Sequence, residues 1–347
     1  MINLQRSFSL LLFLLFNAAT AQEIFDYERD ISNRENYHAE EITFRVKEKK
    51  DSITLSGTLL YPKTPFDKVI VIVPGSGADT RHSHYLLTQK LLEHNIAVYR
   101  YDERGLGKSG GKFNTANYTI TTMGEELASC IAKLRKAAVL DGKKLGLLGH
   151  SQGGMVTMEA YTNKAPVDFL IQWATPVQKH GKFLEYQLMN GQNAFNEVLN
   201  YPTREEKLET MAYMHQIVAE NKELDSWPLS KKLDKAAKKI GYGKEHYGRF
   251  PYLTLASEKD IVRKDFEEAY RTIGIPVLYI VGSDDTFVDP VAETKLLQGF
   301  VNPNITLSLA EGLNHYLTKG KLSLQTMYDI DDTALITLFY WLDNEVI

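Results

Sequence analysis

The pentapeptide Gly149-His150-Ser151-Gln152-Gly153 follows directly on the apolar run Leu145–Leu148 and precedes a helix-compatible stretch, Met155–Tyr161. A buried strand that runs into a helix through Gly-x-Ser-x-Gly leaves few folds open. The serine is forced onto a sharp turn, with its hydroxyl raised at the edge of a sheet. The flanking glycines suit that turn, because a strained serine and a helix passing close to a strand leave no room for a Cβ. The helix start beneath the serine offers free N–H groups and the positive end of a dipole. A bare match to the pattern is commonly just a glycine-rich turn. The strand before it and the helix after it are what make Ser151 a candidate nucleophile.

The rest of the chain repeats the same alternation. Ile42–Val46 and Ile53–Leu60 read as a hairpin joined by the charged turn Lys49-Lys50-Asp51. The β-branched run Val69–Val73 reads as a strand buried on both faces. Helix Tyr85–His94, strand Ala97–Tyr101, helix Thr121–Ala138, strand Leu145–Leu148, helix Met155–Tyr161 and strand Phe169–Trp173 follow. This order predicts an α/β fold with a mostly parallel central sheet and helices on both faces. After Pro176 the alternation stops. Residues 181–272 are rich in Lys, Glu, Tyr, Met and Leu at helical spacing and carry no strand run. Pro276–Val281 then restarts the strands, followed by helix Val291–Phe300, strand Ile305–Leu309 and a closing helix, Ala334–Leu342. A connection as long as 181–272 reads as a helical cap inserted into one domain, whose core parts are 41–180 and 273–347. Phe183, Tyr186, Leu188, Met189, Met211, Tyr213 and Met214 are expected to form its small interior, with a leftover apolar face toward the edge that holds Ser151.

The first residues follow other rules. Arg6 gives a short positive region, Ser7–Phe16 is almost wholly apolar, and Ala19-Thr20-Ala21 presents small residues to a signal peptidase. We read 1–21 as a signal peptide cleaved near Ala21-Gln22, with export to a periplasmic or extracellular location and no stable membrane insertion after cleavage. Residues 22–40 read as a polar arm. Cys130 is the only cysteine, so an exported chain must fold without an intramolecular disulfide and has no cysteine-based zinc site. A net charge of −4 gives no reason to expect nucleic acid as a partner. Oligomeric state is not legible.

A serine hydroxyl needs a base to take its proton and a third group to orient that base. Among nine histidines, His315 stands in the loop after the last strand, behind Glu311-Gly312-Leu313-Asn314. The acid should follow a late strand, and Val277–Val281 runs into Gly282-Ser283-Asp284-Asp285-Thr286-Phe287-Val288. We choose Asp285 over Asp284 on the spacing Gly-x-x-Asp-x-x-Val. Asp289 reads as the N-cap of the following helix. An oxyanion needs two preorganised donors. One is the backbone N–H of Gln152, next to the nucleophile. The other is the N–H of Ser76 in Pro74-Gly75-Ser76-Gly77, the loop after Val69–Val73. In Tyr101-Asp102-Glu103-Arg104-Gly105-Leu106-Gly107-Lys108-Ser109, Asp102 and Arg104 are expected to hold their own loop by a local ion pair.

These motifs together resemble the α/β-hydrolases. They are an early Gly-Ser-Gly loop, Tyr-Asp-x-Arg-Gly-x-Gly-x-Ser, Gly-His-Ser-Gln-Gly-Gly, Gly-x-x-Asp-x-x-Val and a late Asn-His, in the chain order nucleophile, acid, histidine. The match runs from about Ile53 to the C-terminus apart from 181–272. It is most similar to secreted bacterial serine carboxylesterases of the dienelactone-hydrolase and prolyl-oligopeptidase-like branch. The Gly75-Ser76-Gly77 loop with Arg81 resembles the Gly-Ser-Gly-Pro-x-x-Arg loop of one esterase group, with Ala78 in place of the proline. The resemblance implies a cap between the sixth and seventh strands, a small-molecule ester as substrate, and no cofactor or metal. Three alternatives stay open at this point. They are a peptidase with the same triad, a non-catalytic binding protein on the same fold, and a metal-dependent hydrolase built on His82-x-His84.

Overall fold

The computed structural model describes residues 31–48, 51–192, 202–241, 253–323 and 326–346. The expected signal peptide 1–21, the first part of the polar arm and the turn Lys49-Lys50 lie outside the described residues. Eight strands form one sheet in the order β1-β2-β4-β3-β5-β6-β7-β8. They are β1 (Tyr37–Glu48), β2 (Asp51–Pro62), β3 (Lys68–Val73), β4 (Ala97–Tyr101), β5 (Lys144–His150), β6 (Phe169–Trp173), β7 (Val277–Gly282) and β8 (Ile305–Ala310). β2 pairs antiparallel with both β1 and β4, and every pairing from β4 to β8 is parallel. This is the α/β-hydrolase architecture; α1 (Tyr85–Glu93), α2 (Ile120–Leu134), α3 (Gln152–Thr162) and α9 (Pro290–Phe300) lie in its crossovers, and α10 (Asp332–Asn344) follows the last strand.

Burial explains the strands. β1 alternates, with Ile42, Phe44 and Val46 buried and Thr43 and Arg45 exposed, as suits an edge strand with one wet face. β4, β6 and β7 are buried along their whole length, because helices cover both faces. β1 begins at Tyr37 rather than Ile42, so Tyr37–Glu40 belong to the sheet and not to a loose arm. They pair with Leu59–Pro62. Their side chains face mostly outward, so backbone pairing extends the strand where no apolar alternation marks it. Ile31, still earlier, is buried, and Ser32 N–H donates to Gln89 Oε1 at 2.6 Å.

The strand order turns at β3. The chain goes from β3 outward to β4, then crosses back to place β5 on the other side of β3. Such a switch point leaves a crevice at the C-terminal ends of the two strands. The register aligns Val73 with Gly149, so the Gly75–Gly77 loop and Ser151 leave the sheet side by side. β7 and β8 end level with one another at Gly282 and Ala310, which sends the Asp285 and His315 loops off the same edge.

Between β6 and β7 lie α4 (Lys182–Met189), α5 (Arg204–Glu220), α6 (Ser226–Lys239), α7 (Ala256–Arg263) and α8 (Glu267–Thr272). Residues 193–201 and 242–252 of this segment are outside the described set. Leu188, Met211, Met214, Leu229 and Leu233 are buried in it, whereas Met189 is exposed. Polar ties hold it to the core. Thr121 donates through N–H and Oγ1 to the Asp260 carboxylate, both at 3.0 Å, and Lys264 Nζ reaches Glu159 at 2.7 Å. Where the chain enters the segment, Glu293 of α9 accepts the N–H groups of Val177 and Gln178 at 3.0 and 2.9 Å. Among the described residues no helix is long and apolar enough to cross a membrane.

One expected pairing is different. Asp102 does not pair with Arg104. It takes Arg81, with Nε at 3.1 Å, Nη2 at 2.6 Å and the Arg81 backbone N–H at 3.0 Å, and it also accepts Lys108 N–H at 3.0 Å. Arg104 instead bonds Glu126 and Glu48, with Nε to Glu126 Oε1 at 2.7 Å. Asp102 stands just past the end of β4 and Arg104 in the turn that follows, and the fold brings Arg81 up from the β3 loop to meet Asp102. The Arg81–Asp102 pair is almost fully buried. Removing one partner strands a charge in the interior. Asp102→Ala should therefore lower stability by about 3–5 kcal/mol in urea-unfolding measurements, against a near-neutral exposed control such as Asp284→Ala.

Candidate active site

Ser151 sits where β5 gives way to α3, with φ 56° and ψ −123°. A serine at positive φ is held there by its surroundings. Its N–H donates to Trp173 O at 2.8 Å, and its carbonyl accepts Gly154 N–H at 3.0 Å. The glycines of the motif are required by contact. A Cβ on Gly153 would stand 2.3 Å from the carbonyl oxygens of both Val73 and Pro74. A Cβ on Gly149 would stand 2.5 Å from Gly154 Cα. α3 thus presses against the ends of β3 and β5, and any side chain there pushes it away.

Asp285 and His315 meet across two loops. His315 Nδ1 is 2.7 Å from Asp285 Oδ2, and both residues are buried. The other oxygen, Asp285 Oδ1, accepts the N–H groups of Phe287 at 2.7 Å and Val288 at 2.9 Å. The carboxylate is thereby fixed in the plane that meets the imidazole. Asp284 is exposed, and its carboxylate takes the Ser283 hydroxyl at 3.2 Å. With Nδ1–H donated to Asp285, the bare nitrogen of His315 is Nε2. Phe287 stacks on the ring with centroids 4.8 Å apart. Among the described residues neither Ser151 Oγ nor His315 Nε2 has a hydrogen-bond partner. Such contacts are commonly loose in an unliganded enzyme and tighten when substrate binds.

The Gly75–Gly77 loop lies beside the serine. A Cβ on Gly75 would touch Ser151 Cβ at 3.4 Å. The next residue, Ser76, is exposed, and its N–H is free of protein acceptors among the described residues, as is that of Gln152 at the start of α3. The loop is anchored further on, where Glu103 Oε2 accepts Asp79 N–H at 2.8 Å. Burial pushes the Glu103 carboxyl up to about 8 and that of Asp79 up to about 6. Asp289 caps α9 by accepting Val291 and Ala292 N–H, both at 3.0 Å.

Several residues near the site make contacts that the sequence reading did not foresee. Tyr186, from α4, donates its hydroxyl to the Asp285 carbonyl at 3.0 Å, which joins the inserted helices to the loop after β7. His150 and His84 are buried and lie 3.2 Å apart, Nδ1 to Nε2. Trp173 and Tyr316 pack their rings against His150. His150 was in view as the second letter of the motif, but its partner stands sixty-six positions away. The spacing His82-x-His84 does not gather ligands. His84 uses its ring nitrogens on Ser83 and His150, and His82 stacks on Tyr85. Cavities of about 630 and 670 Å³ open at the base of the inserted helices around His180 and Lys182, and none of Ser151, Asp285 and His315 lines them.

Sheet order, strained serine and edge loops define an α/β hydrolase. The family model described as serine aminopeptidase, S33, matches residues 64–321, and the chain belongs to that family. No curated protein matches the chain. Among solved structures it is similar to the esterase Pf2001 of Pyrococcus furiosus, with 17% identity, 89% of this chain and 93% of that one covered, and a TM-score of 0.54. It is also similar to a thermophilic esterase from Thermogutta terrifontis, with 15% identity, 88% and 98% covered, and a TM-score of 0.52. The α/β hydrolase GrgF of a Penicillium species gives 15% identity, 89% and 100% covered, and a TM-score of 0.54.

If Asp285 orients His315, removing its charge should matter far more than removing that of its neighbour. Asp285→Asn should lower kcat by roughly 10³–10⁴-fold, while Asp284→Asn stays within about 3-fold of the parent. Steady-state kinetics on an activated ester checks the ranking, and the reverse order would move the acid to Asp284.

Proposed function

We propose that the chain hydrolyses carboxylic esters through an acyl-enzyme, with Ser151 as nucleophile, His315 as base and Asp285 as its orienting acid. The observation that carries this reading is the buried 2.7 Å pair of His315 and Asp285, set at the same sheet edge as the strained Ser151. His315 Nε2 takes the Ser151 proton as Oγ attacks the acyl carbon. The imidazolium that forms is stabilised by the Asp285 carboxylate, which remains ionised. The carbonyl oxygen gains negative charge and is met by the N–H groups of Ser76 and Gln152, already free and aimed by rigid backbone. His315 then returns the proton to the leaving alcohol. Water enters, loses a proton to the same Nε2, and releases the acid. No step calls for a cofactor or a metal.

The esterases that share the fold support an ester as substrate. The family's description as serine aminopeptidase favours a second reading, in which the same residues cleave an aminoacyl bond. The acyl half of the chemistry is identical. The two readings differ in the leaving group and in what would anchor a substrate amino terminus. The Arg6–Ala21 leader further supports export of the mature chain.

Ser151→Ala should lower kcat on a p-nitrophenyl ester by roughly 10³-fold or more while circular dichroism shows an unchanged fold. A serine-directed phosphonate should label the parent and not the variant. Full labelling of the variant, or full turnover by it, would place the nucleophile at another residue. The same assay on aminoacyl p-nitroanilides separates the two substrates, since a kcat/KM higher than on short-chain esters would select the peptidase reading.

A further inference from the structure

A buried line of side chains runs behind the candidate site and has no part in the reaction as written. Ser83 Oγ lies 2.6 Å from His84 Nδ1, His84 Nε2 lies 3.2 Å from His150 Nδ1, and His150 Nε2 lies 3.2 Å from the backbone carbonyl oxygen of His315. Trp173 Nε1–H donates to the same oxygen at 3.1 Å. His84 and His150 are 2% and 1% exposed, so bulk solvent does not reach their rings.

The carbonyl end fixes the ring protons of both imidazoles when they are neutral. A carbonyl oxygen only accepts, so His150 must carry its proton on Nε2. A neutral His150 then has a bare Nδ1, which needs a donor, and His84 supplies Nε2–H. His84 Nδ1 is bare in turn and meets the Ser83 hydroxyl at 2.6 Å, a hydroxyl that Asp79 and Tyr328 also approach. Each ring nitrogen is satisfied in this one arrangement and in no other with both rings neutral. Burial favours the neutral forms, pushing His84 down to about 3 and His150 well below the usual imidazole range.

What the line holds is the backbone of the proposed base. Asn314 folds the histidine loop onto itself, its Oδ1 accepting Tyr316 N–H at 2.9 Å and its Nδ2 donating to Thr318 Oγ1 at 2.7 Å. Asp284 N–H to Leu313 O, at 2.9 Å, and the Asp285–His315 bond tie that loop to the end of β7. The two bonds to His315 O tie it to β5 and β6. One of them comes from the residue directly before Ser151, so a single imidazole spans the gap between the nucleophile's strand and the base's main chain.

We infer that His84 and His150 are positioning residues: a pair of neutral imidazoles, locked in one tautomer, that sets the distance between Ser151 and His315 by gripping the His315 carbonyl. This rests on the hydrolytic reading of Ser151 and His315. His84 touches neither substrate nor the reacting atoms. It acts by keeping the His150 proton on Nε2. Without it, His150 can move its proton to Nδ1, and the lone pair on Nε2 then faces the His315 oxygen and pushes the loop away.

The first measurement needs no variant in the assay. Nitrogen-15 NMR of the full-length protein labelled in histidine reports which ring nitrogen carries hydrogen, with His84→Gln and His150→Gln used only to assign signals. Neutral Nε2–H forms at both positions are expected at neutral pH. A Nδ1–H form or a charged ring at His150 overturns the proposal. The second measurement is kinetic. His84→Leu, folded by circular dichroism, should lower kcat on a p-nitrophenyl ester by roughly 10²-fold with KM changed less than about 3-fold, the scale of a small misplacement of a catalytic group. His84→Gln keeps a donor for His150 Nδ1 and should recover most of that loss. A folded His84→Leu with parental kcat, or Leu and Gln variants equally impaired, also overturns it. If His84→Leu does not fold, the tautomer measurement and the Gln variant decide. Failure of the hydrolytic reading itself would show separately, as an active Ser151→Ala protein with the tautomers unchanged.

Discussion

α3 approaches the ends of β3 and β5 closely, and much of the site depends on it. Gly153 lies so near the Val73 and Pro74 carbonyls that no side chain fits between them. That contact sets the turn at β5, and the turn puts Ser151 at φ 56°. Holding a non-glycine residue there costs on the order of 1–3 kcal/mol, which the packed sheet around it over-determines. In return the hydroxyl stands clear of the sheet, the N–H of Gln152 is left free at the start of the helix, and the neighbouring β3 loop brings Ser76 alongside. The proposed nucleophile and both proposed oxyanion donors therefore follow from one backbone crossing.

The loops that complete the site are held by buried polar groups rather than by their own sequence. Arg81 and Asp102 clamp the exits of β3 and β4 together, and Glu103 holds the Asp79 N–H. On the other side of the serine, Asp285 is fixed by two backbone N–H groups before it meets His315. A carboxylate with one oxygen saturated in this way has a single direction left for its second partner. The inserted helices join the same arrangement. Tyr186 bonds the backbone of Asp285, Lys264 bonds Glu159 on α3, and Glu293 grips the N–H groups where the chain leaves β6. The insertion is thus tied to the Asp285 loop and to the helix that follows Ser151. Movement of those helices would be felt at the site directly.

The amino-acid sequence by itself determined the sheet-and-helix order, because β-branched runs and glycine turns act over a few residues. It also marked Ser151, His315 and Asp285 as candidates, because each stands just past the end of a strand, where an α/β sheet gathers its functional groups. The spacing from Gly282 separates Asp285 from Asp284, and the structure buries the first and exposes the second. Three things only the tertiary structure decided. The start of β1 at Tyr37 depends on pairing with β2, which outward-facing polar side chains do not announce. The partner of Asp102 is Arg81 rather than the nearer Arg104, because ion pairs in the interior are chosen by which loops the sheet order brings together. The meeting of His84, His150 and the His315 carbonyl joins the β3 loop, β5 and the loop after β8, segments that local propensity cannot relate. Local chemistry writes the elements and their turns, whereas contacts between distant segments exist only once the strand order has been set.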